Sequence, residues 1–531
     1  MPHRLENHPA LRGRHAGLLI PLFSMRSGSD WGIGDYDALA GWIGWLASTG
    51  TKILQMLPIH ETGPGEDCPY AAITAFALDP VYIAVDSVPE VRASRKARAI
   101  IRKERPLIEK LRAGERVVYA PVRELKNSVL RAGFEYFYER EYKPGGARAA
   151  GFAEFVKNTG WLYNYSVFRA LKDEYGWSTW TGWPRDLRDC RADAVARFRR
   201  RHEKEVLFYE YLQWIAAEQW ARVRRAAQDG GVWLFGDLPF MVSQESADVW
   251  GNQPVFDIHT EVGAPPDYFN PEGQRWGLPA YNWHGLEATR FGWWRSRVRR
   301  ATEIYDLFRL DHLVGFFRTW VIPSDGSGAR FDNDGAESQR KRGERFLKMV
   351  IEEAGPALPV AEDLGVIPPF VYKTLSELDI PGYKILRWEK DEKTRTYRDP
   401  EKFPKISLSV ASTHDTETLS DWWGRISAQE RYLFWKMAAR GEEASPEYDD
   451  RVHKVILERV LGAQSSIALL LLQDILAVKD RINTPGTVGE RNWTCRTPGT
   501  PDETESAYGE LVDLYRELVR RSGRAEPENA K

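Results

Sequence analysis

Four apolar runs each break into charge with a carboxylate. LFRLDH (307–312) carries Arg309 and Asp311, and LPVAEDLG (358–365) carries Glu362 and Asp363. ISLSVASTHD (406–415) ends in His414 and Asp415, and VWLFGDLPF (232–240) delivers Asp237. Carboxylates in pairs work on glycosidic bonds: one stays ionised and attacks, the other holds a proton for the leaving oxygen. Their environments must push the two pKa values apart. On a strand, residues i and i+2 share a face, so the Arg309 guanidinium keeps Asp311 ionised, which suits a nucleophile. Glu362 lies between Ala361 and the nearby Leu364. That less polar setting raises its pKa and suits an acid. His414 and Asp415 add a donor and a carboxylate able to grip sugar hydroxyls. Any one of these acids also fits an ordinary ion pair at a strand end. Four of them in one rhythm favour a site.

Other chemistries lack their residues. His60, His259, His312 and His414 stand alone, with no HxH or HExxH spacing, so no catalytic metal is expected. There is no GxSxG elbow for a serine nucleophile and no GxxxxGK[ST] phosphate loop. Gly32 and Gly34 are not followed by the third glycine of a dinucleotide fingerprint. No cofactor is expected.

The elements that position the acids alternate along the chain. An apolar run at 17–23 is a first strand, and Asp35 caps a helix over 36–48. Its Leu39, Trp42, Ile43 and Leu46 fall at helical spacing. A second strand, 52–59, completes a βαβ unit. Further strands read at 232–240, 307–312, 358–365, 383–388, 406–415 and 466–473. Eight strands, four of them delivering acids at the C-terminal end, predict a (β/α)8 TIM barrel. The expected division is 1–62 for the start of the barrel, 63–230 for a large, mainly helical insertion between strands 2 and 3, and 231–523 for the rest. A Gly/Pro-rich aromatic lid loop falls at 263–284 and a frayed tail at 524–531. The chain closes with a helix near 503–521, with no β-rich C-terminal domain.

Composition sets bounds on partners. The chain has 531 residues and a formal charge of -2, which gives no reason to expect nucleic acid or an anionic membrane. The basic run at 197–204 lies beside Glu203, Glu205 and Glu210 and reads as a solvated helix face. The apolar run 467–472 stops at Gln473 and Asp474, far short of the roughly 18 residues that span a bilayer. The N-terminal segment has scattered charge and no apolar core, so no signal peptide is expected. Three cysteines, Cys68, Cys190 and Cys495, form no CxxC pair and suit a reducing compartment. A cytoplasmic protein of undetermined oligomeric state follows.

The motifs together carry a resemblance. FRLDH, AEDLG and STHD, in this order, resemble the signature regions of the α-amylase clan. With SDWGIGDY, CPYAAITAFALDP, GDLPFMVSQESADVW, PPDYFNPEGQRWGLPAYNW and NTPGTVGERNW, the chain resembles glycoside hydrolase family 77, the 4-α-glucanotransferases, over about residues 15 to 520. The resemblance implies that Asp311 forms a β-glucosyl intermediate and that Glu362 is general acid and then base. It implies that Asp415 with His414 holds the 2- and 3-hydroxyls, that Arg309 orients Asp311, and that Asp237 belongs to the same ring. It further implies donor-side contacts from Tyr70 and Asn483, and a lid on which Tyr268 and Phe269 guide the glucan. The stretch around Cys68, with Ala71 and Ala72, departs from the family's commoner serine-rich form. Donor and acceptor would both be α-1,4-glucans or maltooligosaccharides. The alternative is an α-amylase-type retaining hydrolase; a noncatalytic glucan-binding protein is disfavoured by the joint presence of Asp311, Glu362 and Asp415.

Overall fold

The computed structural model describes residues 5–266, 271–391, 393–439, 444–487 and 489–525. Twelve strands occur among them: β1 (His15–Leu19), β2 (Ile53–Gln55), β3 (Trp233–Leu238), β4 (Phe256–Ala264), β5 (Gln274–Tyr281), β6 (Leu307–Leu310), β7 (Trp320–Pro323), β8 (Arg330–Phe331), β9 (Leu358–Ala361), β10 (Gly382–Ile385), β11 (Ser407–Val410) and β12 (Ile467–Leu471). Eight of them close a parallel barrel in the order β1-β12-β11-β10-β9-β6-β3-β2. This is the expected TIM barrel, and each of the eight apolar runs contributes one strand.

The strands are apolar because both of their faces are covered. Every residue of β6, β9, β11 and β12 is buried. The exceptions face inward and are polar for a reason given by register. Arg309 of β6 pairs with Asp237 of β3, and Leu310 pairs with Ala361 of β9. Asp311 and Glu362 are the next residues along, so they leave the barrel at one level. Deeper down, Gln55 Nε2 donates to the Tyr383 hydroxyl at 3.0 Å. Close packing admits only glycine at Gly236, where an added Cβ would lie 2.2 Å from the Tyr305 ring.

Helices fill the connections. Tyr36–Ser48 begins at Asp35, whose carboxylate accepts the Ala38 amide as the sequence predicts. Between β2 and β3 run Arg95–Ala113, Tyr119–Phe137, Ala147–Asn158, Leu162–Glu174, Ala192–Arg201 and Glu203–Asp229. The last two of these are separated at His202, where φ is -112° and ψ 32°. Helix Glu203–Asp229 packs on Tyr36–Ser48, with Trp220 edge-on to Tyr36 at 5.7 Å, and leads into β3.

The expected lid loop is only partly a loop. Gln274–Tyr281 is a strand, paired antiparallel with β4 in a separate four-stranded sheet of order β5-β4-β7-β8. Register shifts near Glu261 and a proline in β5 hid the alternation from the sequence. Glu261 ties the pair, accepting from Arg275 at 2.6 Å and from the Gly277 amide at 2.7 Å. Gly263 is needed because a Cβ there would meet the Gln274 carbonyl at 1.9 Å. Tyr268 and Phe269 lie outside the described residues.

Distant segments are fastened by a buried ion pair. Arg496 Nη2 meets Asp30 Oδ1 at 2.7 Å, with both side chains 0% exposed. Asp30 also accepts the Ser27 and Gly32 amides, and Arg496 donates to the Arg112 carbonyl. The pair thus joins the loop after β1, the end of helix Arg95–Ala113 and the loop before the last helix. Removing one partner strands a buried charge. D30A is expected to lower unfolding free energy by about 3–5 kcal/mol in denaturant titrations. D30A/R496M should recover part of that loss, and an unchanged midpoint in D30A would remove the pair from this role.

Candidate active site

The barrel gathers its charged residues at the C-terminal ends of its strands, where such folds carry chemistry. Arg309 is the centre. Its Nε donates to Asp237 Oδ2 at 2.9 Å, and its Nη2 donates to Asp311 Oδ1 at 2.7 Å and to the Tyr70 hydroxyl at 3.0 Å. Burial alone would lower the Arg309 pKa, but Asp237, Tyr70 and Asp311 outweigh it and hold the guanidinium charged. Asp311 Oδ2 takes a further bond from the Phe240 amide at 3.3 Å. Its carboxylate remains 23% exposed, so the group that Arg309 orients still faces the cleft.

Asp237 is fully buried beside them. Its Oδ2 also accepts the Tyr70 hydroxyl proton at 2.7 Å, while Oδ1 has no partner. Burial raises its pKa, and the nearby Arg309 opposes the rise.

Glu362 occupies a different environment. Burial pushes its carboxyl up to about 8; Arg309 opposes the rise, and the neighbouring Asp311 charge adds to it. Two backbone donors resist that shift, His312 N–H at 2.8 Å and Leu364 N–H at 3.1 Å. His312 adopts a left-handed backbone conformation, φ 43° and ψ 53°, an unfavourable geometry for a residue with a side chain. Burial also lowers the His312 pKa to about 4, so its ring is neutral at pH 7. Trp276 of β5 packs edge-on against that ring at 4.9 Å. The outer sheet therefore reaches the residue next to Asp311.

His414 and Asp415 follow β11. His414 Nε2 lies 3.0 Å from the Tyr70 hydroxyl and 3.3 Å from Asp415 Oδ2, and the Tyr70 and His414 rings stack at 5.4 Å. Burial opposes the Asp415 charge, but His414, Asn483 and Arg309 outweigh it and hold the carboxyl well below the usual carboxylate range. Asn483 Nδ2 donates to Asp415 Oδ1 at 2.7 Å, and the Asn483 amide donates to the His414 carbonyl at 3.1 Å. Arg481 fastens the same loop through the Asn483 and Asp415 carbonyls, each at 2.7 Å.

The structure thus brings together Tyr70, Asp237, Arg309, Asp311, Glu362, His414, Asp415 and Asn483. It also adds residues that sequence reading missed. Trp276 stood within the GQRWG stretch but was not singled out. Trp493, at the end of the loop from Asn483 that the family resemblance places near the donor sugar, tilts toward Tyr70 at 5.8 Å. The Phe240 amide has no side-chain signal at all. Among the described residues, no group of three or more His, Cys, Asp or Glu is arranged to hold a metal ion. Cys68, close by, has its thiol pushed up to about 12 by burial.

The family model for 4-alpha-glucanotransferase, glycoside hydrolase family 77, matches residues 20–501. The chain belongs to glycoside hydrolase family 77. The matched span of this family 77 chain contains every side chain gathered at the barrel mouth. A 4-alpha-glucanotransferase of Chlamydia pneumoniae is 33% identical over 515 residues, covering 95% of this chain and 94% of that protein. Another, of Thermus thermophilus, is 30% identical, covering 90% and 93%. The amylomaltase of Streptococcus agalactiae, solved in complex with acarbose, superposes with a TM-score of 0.82 at 24% identity, covering 97% of this chain and 100% of that one. Those coordinates bear on the fold of the family 77 barrel.

Tyr70 is the hydroxyl on which three of these groups converge. Y70F removes a donor from buried Asp237 and is expected to cost about 1–3 kcal/mol of stability. Thermal or denaturant unfolding measures it. No change would mean that Arg309 alone satisfies Asp237 Oδ2.

Proposed function

We propose that this chain is a retaining 4-α-glucanotransferase that moves α-1,4-glucan segments from a maltooligosaccharide or amylose donor to the 4-hydroxyl of another glucan or of glucose. The observation that carries the mechanism is the opposite environment of two neighbouring acids. Asp311 is ion-paired with Arg309, whereas burial pushes the Glu362 carboxyl up. The raised carboxyl of Glu362 suits a proton donor, and the Arg309-paired Asp311 suits the nucleophile.

The steps balance on these two groups. The Asp311 carboxylate attacks the anomeric carbon while Glu362 gives its proton to the glycosidic oxygen. The bond breaks, the leaving glucan departs with a free 4-hydroxyl, and a β-glucosyl ester remains on Asp311. An acceptor 4-hydroxyl then gives its proton to the Glu362 carboxylate as its oxygen attacks the same carbon. Asp311 is released and the α-configuration is restored, as two inversions require. Arg309 holds Asp311 in line. Asp415, ionised and bonded to Asn483, holds ring hydroxyls with His414. Asp237 and Tyr70 brace Arg309, and Tyr70 borders the donor sugar.

Transfer needs a sugar to outcompete water at the ester. Trp276 against His312 supports a role for the outer sheet in covering the site, and Tyr268 and Phe269 would extend that cover. The hydrolase alternative is not favoured, since the family and its relatives carry the transferase name. We also propose a cytoplasmic location, supported by three unpaired thiols. The barrel (1–62 and 231–523) with a helical insertion (63–230) belongs to the same reading.

Incubation with maltotriose should release glucose and build maltopentaose and longer chains. Accumulation of shorter sugars without elongation would return the protein to the hydrolases. D311N is expected to lower kcat by roughly 1,000-fold or more while retaining glucan binding. Full activity would remove Asp311 from the nucleophile's place. A proton donor works only below its pKa, so kcat/KM should fall about tenfold per pH unit above roughly pH 8. A flat profile through that range would take the acid role from Glu362.

A further inference from the structure

Arg297 is a second buried cation close to the site. It belongs to helix Gly292–Ile304 and is 2% exposed, yet it makes no ion pair with any described carboxylate. Its guanidinium lies 4.6 Å from the Trp294 ring and 5.3 Å from the Trp293 ring. Cation–π attraction returns only part of the cost of leaving water. Burial lowers the Arg297 pKa, opposed by Tyr281, Asp248, Asp311 and Asp237. An arginine keeps its proton at neutral pH all the same. His60 brings no compensating charge, since burial, with help from Arg297, pushes its pKa down to about 3.

The contacts of this cation lead to the nucleophile. Arg297 Nη2 donates to the Pro239 carbonyl at 2.7 Å. Pro239 and Phe240 share one planar trans peptide, so that carbonyl and the Phe240 N–H are opposite ends of one dipole. The Phe240 N–H donates to Asp311 Oδ2 at 3.3 Å. An amide at that distance grips weakly by itself. Positive charge at the carbonyl end polarises the peptide and strengthens the bond at its N–H end. The next carbonyl, that of Phe240, accepts the Tyr281 hydroxyl at 2.6 Å, so this backbone is held at two successive carbonyls.

Asp311 needs that second hold. Arg309 binds Oδ1, and one hold leaves a carboxylate free to turn about its Cβ–Cγ bond. The Phe240 amide on Oδ2 stops the turn and fixes the carboxylate plane at the cleft. An apolar side chain beside the two tryptophans would fill the space without burying a charge. The cation is kept where it opposes folding, and its line of action ends on the attacking group.

We propose that Arg297 is a positioning residue for the nucleophile: through the Pro239–Phe240 peptide it aims and stabilises the Asp311 carboxylate without touching the sugar. The inference rests on Asp311 being the nucleophile, and not on whether the ester passes to a sugar or to water. Arg297 then matters for formation of the glucosyl ester and little for binding of the glucan.

Single-turnover fluoride release from α-maltosyl fluoride isolates that step. The Asp311 carboxylate attacks the anomeric carbon and fluoride leaves with the bonding pair, with no proton needed from Glu362. R297M is expected to slow the release roughly 10- to 100-fold and to leave KM for maltotriose within about 2-fold. Its unfolding temperature should equal or exceed that of the parent, since a buried charge without an ion pair has been removed. R297K, which keeps the charge and a donor, should recover most of the rate. Parental release in R297M, a rate loss accompanied by a fall in unfolding temperature, or a loss that R297K does not recover would each make Arg297 structural and overturn the proposal. Full activity in D311N would bring down the nucleophile assignment and this proposal with it. An inactive D311N beside an unimpaired R297M would bring down this proposal alone.

Discussion

Everything at the mouth of this barrel depends on one buried cation. The Arg309 guanidinium lies among apolar strands, where an unpaired charge would cost several kcal/mol. It is tolerated because Asp237, Asp311 and Tyr70 satisfy it together. Those partners come from β3, from the residue that follows β6 and from the loop after β2. The β3–β6 register, with Asp237 opposite Arg309, is therefore part of the same constraint as the chemistry. A slip of one residue would turn Arg309 to the helix side and leave Asp237 buried without its cation.

That arrangement also explains why two adjacent acids behave differently. Asp311 is held by a cation and by the Phe240 amide at the edge of the cleft. Glu362, one strand over, has no direct ion pair and meets only backbone amides. Asp311 has a cation for a partner, whereas desolvation raises the Glu362 carboxyl. The left-handed turn at His312 stands between them, and its amide is one of the two that hold Glu362. Local backbone strain is thus spent on orienting Glu362.

Segments far apart in the chain complete the enclosure. The loop around Arg481 and Asn483 reaches back to Asp415, and the Arg496–Asp30 pair locks the following segment to the loop after β1. Arg387, after β10, holds the base of the His414–Asp415 loop from its other side while its neighbour Trp388 faces solvent. The Arg496 side chain that pins one of these loops is fully buried, whereas Asp311 at the cleft is partly exposed.

The eight barrel strands and the four acids were legible in the sequence. Each strand is an apolar run covered on both faces, and each acid interrupts such a run at its end. Arg309 and Asp311 could be paired from the sequence because i and i+2 on a strand share a face. The outer sheet was not legible, since its register shifts and a proline in β5 break the two-residue alternation. Nor was the convergence of Tyr70 on Asp237 and Arg309, across 167 and 239 residues. The Phe240 amide and the turn at His312 had no side-chain signature to read. Local pattern encodes which residues must be buried and which must be charged. Only the closed barrel decides which charges meet, because pairing distance in three dimensions is set by strand register and loop path, and neither is a periodic property of the chain.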